Sequence, residues 1–507
     1  MTIIMRKLAL ALATAATTFS AASQKPNVVI IMADDLGYGD LECYGDTRVA
    51  TPAVNRLASE GQRFTQAYAP AATSTPSRYG LLTGEYAWRR PGTGVANGDA
   101  AMIITPDRHT MADMMASAGY RTAAIGKWHL GLGDKSGAQN WNEPLTCGPA
   151  DIGFDYSYIM AATADRVPCV FIENGAVANY DPSAPITVDY HNPIPGEPTG
   201  RTHPEMLRYM YNHGHDQAIV NGISRIGHMK GGGHALWKDE NIADSITDHA
   251  VRFIEQHASE PFFMYFCTND VHVPRWPHDR FRGHNEMGLR GDAIAQFDWS
   301  VGRVLSALDS LGIADNTLVI LTSDNGPIVD DGYDDGAVES LGDHRPAGNL
   351  SGSKYSILEG GSRVPLIVRW PTAVRAGEDN PTIISQIDLY ASLAALVGAD
   401  IPDGAAPDSH DQLAQWLGHD HTHRPWVVQQ AHDNSLALRT PDLKYVEPTS
   451  TDPVISWNPT VTTGYSPEPK LFDMDTDPAE TTNLATERPA DTARLASLLS
   501  SIRTVPQ

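Results

Sequence analysis

Three short apolar runs that end in acid or amide side chains constrain this chain more than any other feature. They are NVVIIMADD at 27–35, PFFMYFCTND at 261–270 and TLVILTSDNG at 317–326. Each is continuously apolar rather than alternating, the pattern of a strand buried on both faces of a parallel sheet. Helical periodicity fills the intervals. HTMADMMASAGY reads as a helix that passes over a glycine turn into a strand ending at Lys127 and His129; DSITDHAVRFIEQHA and GDAIAQFDWSVGRVLSALDSLG are amphipathic. The spacing of Val54, Leu57 and Phe64 predicts a helix through TPAVNRLASEGQRFTQAYA. Strand, helix, strand in this order predicts an α/β fold, doubly wound, with a mixed but mostly parallel sheet and helices on both faces.

The flanks read differently. MTIIMRK followed by LALALATAATTF and the small residues SAAS has the basic, apolar and cleavage regions of a signal peptide, so residues 1–22 are set apart from the fold; the competing reading is an N-terminal core helix. No later run is long and apolar enough to span a bilayer, so the expectation is an exported protein, periplasmic or extracellular. Residues 23–422 form the expected catalytic α/β domain. Within it, AAPDSHDQLAQWLGHDHTHRPW near its end reads as a helix followed by a linker. Residues 423–507, with LALRTPDLKYV and the terminal ADTARLASLLSSIR, predict a small C-terminal domain with a short antiparallel sheet and a closing helix. The Pro- and Gly-rich region 185–240 carries His203, His213, His215, His228 and His234 without the i,i+4 spacing of a helical metal site; a long loop insertion near the active site is the preferred reading. Cys43, Cys147, Cys169 and Cys267 are too few for a disulfide scaffold, though one bridge is conceivable.

Ligands of doubly wound folds bind outside the carboxyl ends of the strands, where the polar residues of these runs collect. Asp34, Asp35, Asp324 and Asn325 are hard oxygen donors, suited to Ca²⁺, or to Mg²⁺, more than to zinc. Either pair alone would be read as a cap or an Asx turn; together at one edge they call for a cation. Arg78, Lys127 and Lys354, with His129 and His272, add local positive charge. They do so against a net charge of −24, which disfavours nucleic acid as a partner. A metal with fixed cations suits a tetrahedral oxyanion ester, sulfate or phosphate.

The segments PNVVIIMADDLGYGDLECYG, STPSRYGLLTG, GKWHLG, GFDYSY, TLVILTSDNGP, KYSILEGGSRVPLIVRWP and LFDMDTDPAETTNL resemble, in order and spacing, the type I sulfatases of the alkaline phosphatase superfamily. The S-x-P-S-R core is the specific part. In that family its first residue, here Ser74, is oxidised to formylglycine, whose hydrate attacks sulfur and then eliminates sulfate through its second hydroxyl. The resemblance implies metal binding by Asp34, Asp35, Asp324 and Asn325. It implies diol or metal-bridging roles for Arg78 and Lys127, proton chemistry at His129, and sulfate contacts by His272 and Lys354, with His272 the acid for the leaving oxygen. Serine rather than cysteine in the motif implies an anaerobic-type sulfatase-maturating enzyme, and hence a bacterium. Glu85 departs from the basic residue that often follows LTG in the family.

The substrate expected from export and the loop insertion is a sulfated carbohydrate of galactose type, although an aryl sulfate would also fit. Loop position nominates Trp88, Arg89, Arg90, Asp165, Arg166 and His344 as sugar contacts. Two other readings stay open: a phosphatase or phosphodiesterase of the same superfamily, and a sulfated-glycan binding protein without turnover.

Overall fold

The computed structural model describes residues 25–45 and 48–504; the expected signal peptide lies outside them. The central sheet has ten strands: β1 (Asn27–Ala33), β2 (Gln62–Phe64), β3 (Arg121–Lys127), β4 (Tyr156–Met160), β5 (Phe171–Glu173), β6 (Ala176–Val177), β7 (Phe262–Cys267), β8 (Thr317–Ser323), β9 (Leu366–Arg369) and β10 (Glu378–Asn380). Their order across the sheet is β10-β2-β9-β8-β1-β7-β3-β4-β5-β6. The five central strands, β8 to β4, are parallel, and the antiparallel pairs β8–β9, β9–β2, β4–β5 and β5–β6 lie outside them.

All seven residues of β1 are buried. Because successive side chains of a strand point to opposite faces, both faces of the sheet must be covered. The covering helices are α1 (Pro52–Ser59), α2 (Ser74–Thr83), α3 (Met111–Ser117), α4 (Ile242–His257), α5 (Gly288–Ser310) and α6 (Leu389–Val397). They pack as two groups, α1 with α5 and α4, and α2 with α3 and α6. Among the described residues no helix is long and apolar enough to cross a membrane.

Two helical expectations are corrected. Val54 and Leu57 are buried by α1 as the spacing predicts, but the helix stops at Ser59 and Phe64 belongs to β2. Gly61 sits against the backbone of β9, where an added Cβ would lie 2.3 Å from the Val368 carbonyl oxygen. That approach delivers the chain straight into strand pairing. In the DSHDQLAQWLG stretch only Leu413–Trp416 is helical. Its upstream polar side chains serve other elements instead: Asp408 accepts from the Tyr86 backbone and from Arg89.

At the C-terminus β11 (Val427–Gln430), β12 (Leu436–Arg439), β13 (Leu443–Val446) and β14 (Lys470–Asp473) form an antiparallel sheet closed by α7 (Pro489–Thr504). Tyr86 and Ile387 of the larger body share its apolar cluster with Val428, Leu438 and Leu499. The buried Lys444 ammonium binds Glu480 at 2.7 Å and Glu359 at 3.2 Å, joining the two parts. All four cysteines are free.

Candidate active site

The parallel strands bring their carboxyl ends to one edge. Asp34 and Asp35 follow β1, Asp324 and Asn325 follow β8, Lys127 closes β3, and the β7 loop carries His272. Ala33 pairs with Ser323 in register, so the two acidic pairs start side by side. Ser74 opens α2 at the same edge.

The S-x-P-S-R motif acts through helical geometry. Pro76 lies in the first turn, where no intrahelical N–H is needed. Ser77 donates to the Ala71 carbonyl at 2.8 Å and accepts from its N–H, fixing the entry to the helix. Arg78, one turn beyond Ser74, shares its face and donates from Nε and Nη2 to Asp324 at 3.1 and 2.8 Å. Thr75 donates to the His129 carbonyl at 2.9 Å, tying α2 to the loop after β3.

Around Ser74, Lys127 Nζ donates to the Ser74 hydroxyl at 2.9 Å and to Asp34 Oδ1 at 2.6 Å. Ser74 Oγ donates to Asn325 Oδ1 at 3.3 Å, and the Asn325 amide donates to Asp35 Oδ1 at 2.7 Å. Lys354 bridges Asp35 and Asp331, each at 2.9 Å. Asp35 and His129 both have φ of 59°, an uncommon conformation for residues with a Cβ, held here by the surrounding network.

Charge is unevenly satisfied. Burial pushes the Asp34 carboxyl up to about 6, against Lys127 and His272 and with help from Asp324 and Asp35. Asp34 Oδ2 is buried with no hydrogen-bond partner among the described residues. Burial acts on Asp324 too, but Arg78 and Lys127 outweigh it and hold that carboxyl below the usual range. Asp331 is lowered to about 2, because Lys354 and His272 overcome its burial. Asp34, Asp35 and His272 each offer a ligand atom within 4.8 Å of the others. An orphaned carboxylate oxygen among hard donors fits a divalent cation, with Asp324 and Asn325 completing the donor set at the same edge.

Each of the two histidines has one ring nitrogen that must carry a proton. His129 Nε2 lies 2.9 Å from the Ala96 carbonyl, which can only accept, so this nitrogen carries the proton. Its Nδ1 is a buried acceptor with no partner among the described residues. Burial, then Lys127, Arg166 and Arg78, holds His129 well below the ordinary histidine range, hence neutral. His272 donates from Nδ1 to the Val273 carbonyl at 2.6 Å, which leaves Nε2 facing Asp35 at 3.8 Å.

These groups open into a cavity of about 290 Å³. Ser74, His129, His272 and Lys354 line it, with Asp165 and Arg166 on one side. Arg166 donates to both Asp165 oxygens, and His215 Nε2 lies 3.0 Å from Asp165 Oδ2. Burial notwithstanding, Arg166 and His215 hold Asp165 well below the usual carboxylate range. His213 and His215 come from the irregular region 185–240, which is placed at the active site as a loop insertion. Asp331, Tyr355 and Trp457 also line the cavity, and sequence reasoning missed them. Asp331 follows the SDNG run in an acidic loop, a faint signal; nothing local marked Tyr355 or Trp457.

Four nominated sugar contacts are corrected. Gly84, at φ 63°, ends α2, and the chain turns away at the end of the helix opposite Ser74, roughly 15 Å along the axis at 1.5 Å per residue. Beyond it Trp88 stacks on Tyr86, Arg89 is bidentate to Asp408, and Arg90 pairs with Glu85. Glu85 itself is buried, and accepts from the Tyr79 hydroxyl at 2.6 Å while pairing with Arg108 at 2.6 Å. His344 is buried against Asp40, which also binds Arg290 bidentately. It borders a separate cleft with Tyr38 and Arg345. None of the four lines the cavity above Ser74.

Comparison with known proteins places these features in a wider context. A family model described as Sulfatase matches residues 26–399. An N-acetylgalactosamine-6-O-sulfatase of Bacteroides thetaiotaomicron is 51% identical over 482 residues, 95% of this chain and 94% of that protein. The human steryl-sulfatase is 31% identical over 421 residues, covering 78% and 70% of the two chains. A solved Bacteroides thetaiotaomicron structure, from work on the metabolism of multiple glycosaminoglycans, superposes with a TM-score of 0.94 at 50% identity. It covers 95% of this chain and 100% of that one.

Proposed function

Since this chain belongs to the sulfatase family and is a sulfuric ester hydrolase, we propose that it removes 6-O-sulfate from a galacto-configured sugar of the N-acetylgalactosamine type. It does so with formylglycine made from Ser74 and with a divalent cation, Ca²⁺ or else Mg²⁺, held by Asp34, Asp35, Asp324 and Asn325. The observation that carries this reading is the joint placement of Ser74, His129, His272, Lys354 and the Asp165–Arg166 pair in the lining of one cavity. The 51% identity to a relative with that activity supports the choice of sugar. The N-terminal residues support export to the periplasm or beyond, and the serine of the motif supports maturation by an oxygen-independent enzyme.

The charge count favours sulfate. Leaving the histidines aside, Arg78, Lys127 and Lys354 face Asp34, Asp35, Asp324 and Asp331. A divalent ion leaves one positive charge in excess, which the single negative charge of a sulfate monoester neutralises. A phosphate monoester dianion would overshoot, and this disfavours the phosphatase reading.

When bound, the metal supplies Lewis-acid polarisation at the carboxylate cage. Formylglycine supplies, as its hydrate, one hydroxyl to attack sulfur and another to eliminate sulfate. The chain's own side chains do the rest. Lys127, in contact with the oxygen of residue 74, stabilises negative charge there. His129 offers a bare Nδ1 as proton acceptor. Lys354 presents its ammonium to the sulfate oxygens. His272, its Nδ1–H held by the Val273 carbonyl, turns Nε2 toward the site, and in the imidazolium form the proton on Nε2 is the one it can give to the leaving oxygen. Asp165 and Arg166 accept and donate to sugar hydroxyls.

The test is release of inorganic sulfate by matured protein from N-acetylgalactosamine 6-sulfate, its 4-sulfate isomer and N-acetylglucosamine 6-sulfate. Preference for the first is expected. No release from any of them by protein whose Ser74 is converted would overturn the reading in favour of a sulfated-glycan binding protein.

A further inference from the structure

β13 and β14 are antiparallel neighbours, a pairing that a two-residue turn can close. Instead residues 447–469 leave the C-terminal sheet and return to it. Connections this long without secondary structure are uncommon in compact domains, and usually functional. This one travels to the mouth of the catalytic cavity, where Trp457 forms part of the wall.

The excursion is pinned just beyond that tryptophan. Asn458, itself buried, donates to the Asp330 carbonyl at 2.7 Å, and the Thr463 carbonyl accepts from the Ile357 N–H at 2.9 Å. Ile455 and Val461 are buried with Ile328 and Tyr355 in a cluster of their own, against which Trp457 packs. The indole plane is set by its neighbours: Tyr355 meets it edge-on at 4.8 Å and 86°, and His213 lies 5.3 Å away at 36°. Tyr355 is fixed in turn by its hydroxyl bond to Asp331 at 2.9 Å.

The cavity lining therefore combines charged groups beside Ser74, the polar pair Asp165 and Arg166, and the aromatic Trp457 and Tyr355. A galacto-configured pyranose has matching faces. Its axial O4 leaves the C3, C4 and C5 hydrogens together as one apolar patch, and C6 projects from that patch. A sugar anchored through its 6-sulfate on the floor can lay this patch on an indole while its hydroxyls meet the polar side. Aromatic rings offer large apolar contact at low entropic cost.

We propose that Trp457, delivered by the C-terminal domain, is the stacking platform that positions the sugar ring and selects galacto over gluco configuration. The proposal rests on the sulfated-sugar reading above and deepens it. It makes the C-terminal sheet part of the substrate site rather than a structural appendage.

The test uses matured full-length protein with Trp457→Ala and Trp457→Phe. The readouts are kcat and KM on N-acetylgalactosamine 6-sulfate and N-acetylglucosamine 6-sulfate, and the inhibition constant of inorganic sulfate, which reports the floor alone. Trp457→Ala is expected to raise KM for the galacto sugar about tenfold or more and to shrink its advantage over the gluco sugar. The sulfate inhibition constant should stay unchanged, and Trp457→Phe should recover much of the loss. An unchanged KM in Trp457→Ala overturns the platform while leaving the substrate reading intact. So does an equal loss of sulfate inhibition that phenylalanine does not rescue, since that marks a structural defect. Wild-type protein that releases sulfate from neither sugar, while still binding inorganic sulfate, overturns the substrate reading and the platform with it.

Discussion

Replacing Asp324 by Asn removes one charge from the floor of the cavity and leaves its shape. Asp324 Oδ2 takes both donors of Arg78 and lies 3.6 Å from Lys127, and Oδ1 accepts the Asp35 N–H at 3.3 Å. The side chains of Asp324, Arg78 and Lys127 are fully buried, so no water can replace the lost carboxylate. Two consequences follow. Breaking one side of a buried pair costs about 3–5 kcal/mol, toward the lower figure here because Asn keeps one carbonyl acceptor. A unit charge about 4 Å from a divalent cation, at an effective permittivity of ~20, is worth about 8 kcal/mol, so even if relief of repulsion from Asp34 and Asp35 offsets half of it, affinity falls by roughly three orders of magnitude. Calcium titration and thermal melting read both. At calcium about a thousandfold above its Kd, ligation stabilises the wild type by about 4 kcal/mol. With an unfolding entropy of roughly 1 kcal/mol per kelvin for a chain of this size, that is a Tm rise of about 4 °C. In Asp324→Asn the same calcium sits near the weakened Kd, so the rise should fall below about 1 °C, and sulfate release should be lost. An unchanged calcium stoichiometry and an undiminished Tm rise would refute the assignment of Asp324 to the metal.

Three further outcomes are expected. Asp40 is lowered to about 2, since Arg290 and His344 outweigh its burial. Its contribution, about 2 kcal/mol, is present above the unfolded value near 4 and lost as pH falls through the folded one. Denaturant titrations of Asp40→Asn should therefore show a deficit at pH 7 that narrows between roughly pH 4 and 2; a deficit independent of pH would contradict this. Arg166→Ala should raise KM for the sulfated sugar about a hundredfold, a loss of roughly 3 kcal/mol for a charged hydrogen-bonding group, with a smaller change in inhibition by inorganic sulfate; equal losses in both would place Arg166 on the sulfate rather than the sugar. His344→Gln should leave KM within about twofold while lowering stability by about 1–2 kcal/mol through its bond to Asp40, whereas a large KM change with normal stability would restore His344 to the substrate site.

The parts of the fold that were legible in the sequence are those whose physics is local. The β1, β7 and β8 runs had to be buried on both faces, and their carboxyl ends had to meet in a parallel sheet, so the acidic pairs could be placed together without coordinates. Ser74 and Arg78 were legible because a motif and a helical turn relate them. The misreadings arose where tertiary contacts decided. Phe64 continued a helical spacing, but strand pairing with β9 claimed it. Trp88, Arg89 and Arg90 are close to Ser74 in sequence yet lie beyond the far end of α2, and His344 met a buried carboxylate instead of a ligand. Trp457 could not be found locally, because it reaches the cavity only through the docking of the C-terminal sheet, 383 positions after Ser74.

The most direct test of the whole account is the mass of the tryptic peptide Phe64–Arg78 from protein that is releasing sulfate. Conversion of Ser74 predicts a peptide lighter by two hydrogens than its sequence, in a fraction that tracks the specific activity. Full activity from a peptide of unmodified mass would contradict the account, because an ordinary serine sulfate has no second hydroxyl with which to eliminate.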